Sequence, residues 1–176
     1  VMVILSLICF VQFIQIKKNT QIVVENNFQK VLAASTVIDN LNVVARSTRN
    51  LILFSEPSEN NRDQDKIKEA RALIPKALET LDKLTTDADG KKVLEDMISA
   101  RKAYVENLDN FLSLVNSNQK DQAAALLKTG MRDAQNAYFE HLNKLIDFNT
   151  NATNDSGSKT IKTINNTIYM LLILLF

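Results

Sequence analysis

The chain is poor in the residues that build tight turns and reactive centres. Its 176 residues hold three Gly and two Pro, too few for a turn-rich β-sandwich or a glycine-rich phosphate loop. One Cys and one His exclude a Cys/His zinc cluster and a disulfide framework. Neither sign of charge is in excess: 21 Lys and Arg against 20 Asp and Glu give a net charge of +1. A nucleic-acid binder ordinarily shows a basic surplus, so no nucleic-acid partner is expected. Glu59, Asp63 and Asp65 lack the glycine and the terminal glutamate of a calcium loop. His141 reads as an ordinary core or surface side chain. No catalytic residue, metal or cofactor is assigned, and the chain is not expected to be an enzyme.

Charge is missing from both ends. Lys17 is the first charged residue and Lys162 the last. Residues 1–16 are apolar apart from Ser6, Gln12 and Gln15, and residues 167–176 are apolar apart from Thr167 and the Tyr169 hydroxyl. A transmembrane helix needs roughly 20 apolar residues. The first run therefore reads as most of one span and the second as the start of another. The expected organisation is a truncated span over 1–16, a polar domain over 17–160, and the beginning of a second span over 161–176. Two spans put both ends of the polar domain on one membrane face. That domain is too long for the Lys17-Lys18 pair to hold it in the cytoplasm, because the positive-inside rule weakens beyond about 60 residues. It contains no Cys, since Cys9 lies in the first run. An extracytoplasmic placement follows.

Inside the domain, apolar residues recur at spacings of three and four. Val31, Ala34, Ile38, Leu41, Ala45, Thr48 and Ile52 form the first seam. Ile67, Ala70, Ile74, Ala77, Leu81 and Leu84 form the second, with Asn61 or Asp63 as its cap and Pro75 predicting a kink or local break. The third runs through Leu94, Met97, Arg101, Tyr104, Leu108, Phe111 and Val115. The fourth runs through Ala124, Leu127, Met131, Ala134, Tyr138, His141 or Leu142, and Leu145, with a weak stretch at 154–158. Turns fall at 55–58, 86–90 and 116–118. Short connections make neighbouring helices antiparallel. The predicted fold is all-α, an up-down-up-down antiparallel four-helix bundle whose first and fourth helices continue into the membrane.

Arg101 occupies a seam position, and a buried guanidinium requires an anionic partner. At 1.5 Å per residue, Arg46 lies about 44 Å above Lys17. Counting along each helix brings Arg46, Arg49, Arg101, Tyr104 and Arg132 within a few turns of one level, with Arg71 a further candidate there. Asn42 shares a polar stripe with Arg46 and Arg49, and Tyr138 adds a hydroxyl. Guanidinium groups bind carboxylates through paired hydrogen bonds. The candidate ligand-binding residues are thus Asn42, Arg46, Arg49, Arg101, Tyr104, Arg132 and Tyr138, and the chemistry they suit is a small organic di- or tricarboxylate. The competing reading is ion pairing within the bundle: Arg46 with Asp39, Arg101 with Asp96 or Glu106, Arg132 with Asp133 or Glu140.

Four stretches together resemble a known family: Asp39-x-x-Asn42-x-x-Ala45-Arg46-x-x-Arg49-Asn50, Ala100-Arg101-x-x-Tyr104, Asp121-x-Ala123-x-x-Leu126-Leu127, and Gln135-x-x-Tyr138-Phe139-x-x-Leu142. In this order between two apolar ends, the chain resembles the four-helix-bundle sensor domain of bacterial methyl-accepting chemotaxis proteins. The resemblance implies a periplasmic, homodimeric ligand-binding domain of an inner-membrane receptor, without enzymatic activity of its own. It implies ligands such as citrate, malate, amino acids or aromatic acids, and arginines of the first helix as contacts, often at the dimer interface. Arg46 and Arg49 match that pattern. The alternatives are the outer domain of a sensor histidine kinase or cyclase, and a bundle that reads a periplasmic binding protein through the loops at 56–61 and 116–120.

Overall fold

The computed structural model describes residues 2–54 and 56–175. Among them there is no strand, and the elements in order are α1 (Met2–Gln21), a π-helical segment (Ile22–Asn27), α2 (Phe28–Leu53), α3 (Pro57–Leu84), α4 (Ala88–Asn116), α5 (Lys120–Lys128) and α6 (Gly130–Leu175). The first helix of the bundle is α1 and α2 joined through the π segment, the second is α3, the third is α4, and the fourth is α5 with α6. The all-α four-helix arrangement is the predicted one.

Each boundary has a local cause. Phe54 turns extended after α2, and α3 starts with Pro57 in its first turn, where a missing N–H costs nothing. Ser55, part of the predicted turn, lies outside the described residues. Neither Asn61 nor Asp63 caps α3. Asp63 is instead buried nearly two turns inside the helix, where it accepts hydrogen bonds from Ser47 Oγ at 3.2 Å and Lys66 Nζ at 3.5 Å. Pro75 does not interrupt α3, which continues to Leu84. Asp87 caps α4 by accepting from the Gly90 amide at 2.6 Å, and a side chain at Gly90 would collide with that carboxylate. Asn118 closes the next turn with φ 58°, a left-handed conformation that Asn tolerates.

Two expectations about the fourth helix change. It is not one rod from Ala124 onward, because the chain breaks at Thr129 between α5 and α6. The polar stretch at 154–158 does not break it, and α6 runs 46 residues without interruption. Thr153, Thr160 and Thr163 satisfy their hydroxyls there by donating to carbonyls four residues back, within the helix.

The core follows the seams of α3 and α4 closely: Ile67, Ala70, Ile74, Ala77, Leu81, Leu94, Met97, Leu108 and Phe111 are all buried. On α2 the seam residues Ala34, Leu41, Ala45 and Thr48 are buried as predicted, while Val37 and Leu51 take the core positions expected of Ile38 and Ile52 one residue later, and Val44 is buried beside Ala45. α2 packs along α3 and α4 along α6, while α3 and α4 meet sparsely. Beyond the bundle, α1 packs against α6, and both leave apolar side chains outward: Phe10, Phe13 and Ile14 on one, Ile168, Leu172 and Ile173 on the other. Among the described residues no helix is long and apolar enough to cross a membrane.

Candidate functional site

The seam of α4 places Arg101 between Met97 and Tyr104. Both neighbours are buried, and Arg101 is half-buried. From α6 the seam brings Tyr138 to the same level, its ring centroid 5.8 Å from that of Tyr104. Leu41 and Val44 of α2, Ile74 of α3 and Leu108 of α4 close the walls. Together with Arg71 of α3 they surround a cavity of about 30 Å3.

Three polar atoms around this cavity have no hydrogen-bond partner among the described residues. Arg101 Nε and the hydroxyls of Tyr104 and Tyr138 are buried without a hydrogen bond. Arg101 forms none of the ion pairs found among the described residues, so the pairing with Asp96 or Glu106 is not made. Burial pushes the Tyr138 phenol up to about 12, with the facing Arg101 guanidinium pulling the other way. The guanidinium lies near enough to act on the phenol, yet the geometry satisfies neither Arg101 Nε nor the Tyr138 hydroxyl. Burial raises Tyr104 as well, aided by Tyr138 and opposed by Arg71. Both tyrosines are hydroxyl donors throughout the physiological range.

Arg71 is a further candidate in the sequence only by its height along α3. It nevertheless lines the cavity. Its guanidinium donates to Asp109 of α4 at 2.6 Å, with both side chains partly exposed. The same arginine lines an outer cleft of about 340 Å3 with Gln64, Lys68, Leu112 and Asn116.

The remaining candidates stand elsewhere. Arg46 and Arg49 are exposed on α2, in no ion pair among the described residues, and line an open groove of about 510 Å3 with Asn50, Asp63 and Lys66. Asn42 is half-buried on α2 and lines neither that groove nor the cavity. Arg132 is exposed and lies 3.7 Å from Asp133. The sequence fixes height along each helix, but the angle around the helix decides which side chains turn inward. Arg101, Tyr104 and Tyr138 do so because they replace apolar residues on the seam. Arg46 and Arg49 do not, because α2 turns Val44, Ala45, Ser47 and Thr48 to the core instead. Among the described residues no group of three or more His, Cys, Asp or Glu is placed to hold a metal ion.

A helical bundle that encloses unpaired donors, and whose last helix carries one of them without a break toward an apolar end, has the build of a sensory module. Residues 1–164 match the family described as the four helix bundle sensory module for signal transduction, and the chain belongs to that family. No curated protein matches the chain.

Proposed function

We propose that the chain is the extracytoplasmic sensor region of a bacterial chemoreceptor in the inner membrane, binding a small organic acid and signalling as a homodimer. The observation that carries the ligand class is the set of buried, unpartnered donors at Arg101, Tyr104 and Tyr138. A purely structural bundle would pair the buried Nε of its seam arginine internally, since leaving a buried donor unsatisfied costs about 1–3 kcal/mol. Arg46 and Arg49, exposed on α2 and in no ion pair among the described residues, are a second cationic set that a partner subunit docked on that face would meet. The apolar, outward-facing side chains of α1 and α6 support anchoring in lipid at the domain's base.

Signalling would pass through α6. Tyr138 lies near its start, and Thr167 is 29 residues further on, about 44 Å along the same helix at 1.5 Å per residue. Ligand bound between α4 and α6 acts by favouring one of two helix arrangements over the other. Displacements of about 1–2 Å are typical of such interfaces.

The test is a thermal-shift screen of the full chain in detergent against organic acids, amino acids and aromatic acids. A ligand present at one hundred times its Kd stabilises by about 2.7 kcal/mol. A carboxylate hit that disappears in Arg101→Met supports the reading. A well-folded protein that answers none of the acids sinks it.

A further inference from the structure

The bundle is not closed equally on every side. α3 and α4 meet sparsely, and two side-chain bridges span the gap between them: Gln64 Nε2 donates to Asn116 Oδ1 at 3.2 Å, and Arg71 donates to Asp109 at 2.6 Å. Both bridges lie at the surface, where such ties contribute little and exchange readily with water. Two spaces share the Arg71 side chain, the outer cleft of about 340 Å3 and the interior cavity of about 30 Å3. Ordinary ligand pockets measure roughly 300–1,000 Å3. The cavity alone therefore admits a group of about two or three water-sized atoms, while the cleft reaches the range of a whole small molecule.

The donors in the cavity discriminate between a water and an anion. Arg101 Nε is a donor only, and both tyrosine hydroxyls can donate. A water offers about two acceptor sites, whereas a carboxylate offers about four. Three donors lining one cavity, one of them part of a guanidinium, suit the carboxylate.

We infer that a small dicarboxylate binds across Arg71, reached from the gap between α3 and α4 and not from the outer face of α2. One carboxylate enters the cavity and accepts from Arg101, Tyr104 and Tyr138. The rest of the molecule lies in the cleft, where Lys68 meets the second carboxylate and Arg71 exchanges Asp109 for the ligand. Asp109 is then a resident competitor that holds α3 to α4 when the site is empty. This inference rests on the organic-acid reading above and names the route and the number of carboxylates.

Titration calorimetry on the full chain in detergent tests it, with malate and acetate as probes. Asp109→Asn removes the competitor and should tighten malate by about twofold to fivefold, the scale of an exposed ion pair. Lys68→Ala should weaken malate by a similar factor and leave acetate as it was. Arg101→Met and Tyr138→Phe should weaken both probes by about tenfold or more, the scale of a lost charge-assisted hydrogen bond. Lys68 and Asp109 are exposed, so their variants decide the matter even if a core variant folds poorly. If malate binds, is lost in Arg46→Ala, and is unaffected by Asp109→Asn and Lys68→Ala, the ligand sits in the outer groove. In that case the organic-acid reading stands and this inference falls. If neither probe binds the wild type or Asp109→Asn, the inference falls.

Discussion

Tyr104 of α4 and Tyr138 of α6 meet inside the bundle with ring planes inclined by 39°, and neither hydroxyl has a hydrogen-bond partner. Each pairs a favourable ring contact with an unfavourable buried donor. Tyr104→Phe keeps the ring and deletes the donor. It should change stability by less than about 1 kcal/mol, or raise it, because an unmade hydrogen bond is not lost. Urea unfolding of the two proteins measures the difference. A loss of 2 kcal/mol or more would mean that the hydroxyl is bonded, on the scale of a typical net hydrogen bond of roughly 0.5–1.5 kcal/mol.

The same burial sets an alkaline limit. Tyr138 is raised from 10.0 to about 12 in the folded protein. Below pH 10 both states keep the proton and the full contribution is present. As pH rises toward about 12 the unfolded chain ionises first, so stability falls by an amount on the order of 2 kcal/mol. Phenolate absorbance followed against pH should show Tyr138 ionising late, together with or after loss of the helical signal. Tyr138→Phe should remove part of that loss.

Lys30 of α2 is only 4% exposed. Burial holds its ammonium below the ordinary lysine value of 10.5, with Asp87 opposing the shift. The unfolded chain therefore binds the proton more strongly, and stability should rise with pH as Lys30 deprotonates in the fold. Lys30→Met removes a buried charge in favour of packing. It should leave stability at pH 7 unchanged or higher and flatten the rise between neutral and alkaline pH. Thermal melts of both proteins across that range report the sign.

The bridge between Arg71 and Asp109 is short but sits at the surface, with relative side-chain exposures of 36% and 54%. Its worth to the fold should be small. Asp109→Asn should cost at most about 1 kcal/mol, and high salt should shrink that cost further. By contrast, Phe111→Ala, two residues along the same helix and fully buried, should cost about 3–5 kcal/mol. Denaturant midpoints for the two variants, at low and high salt, separate a surface latch from a core contact.

Much of this architecture was legible in the sequence, because periodicity reports which positions face inward. Ile67, Ala70, Ile74, Ala77 and Leu81 are where the seam of α3 put them. Arg101 and Tyr138 were readable as candidates for the same reason, a polar residue on an apolar stripe. What the sequence left open was azimuth between helices. Arg46, Arg49 and Arg132 stand at a similar height to Arg101 but turn outward, and Arg71, beside its seam, turns in. The break at Thr129 and the π segment at 22–27 were also hidden, since a slip of one residue leaves spacings of three and four intact on either side.

That π segment has a consequence for the base of the bundle. Its wider turns accommodate about one residue more than an α-helix would, and each α-helical residue swings the chain by about 100°. The extra residue is absorbed within the segment, so α1 and α2 both lie along α6 although the chain carries one residue more between them, like a splice that keeps two rails in line. Deleting one residue between Ile22 and Asn27 would close the segment into ordinary α-helix and leave that alignment intact.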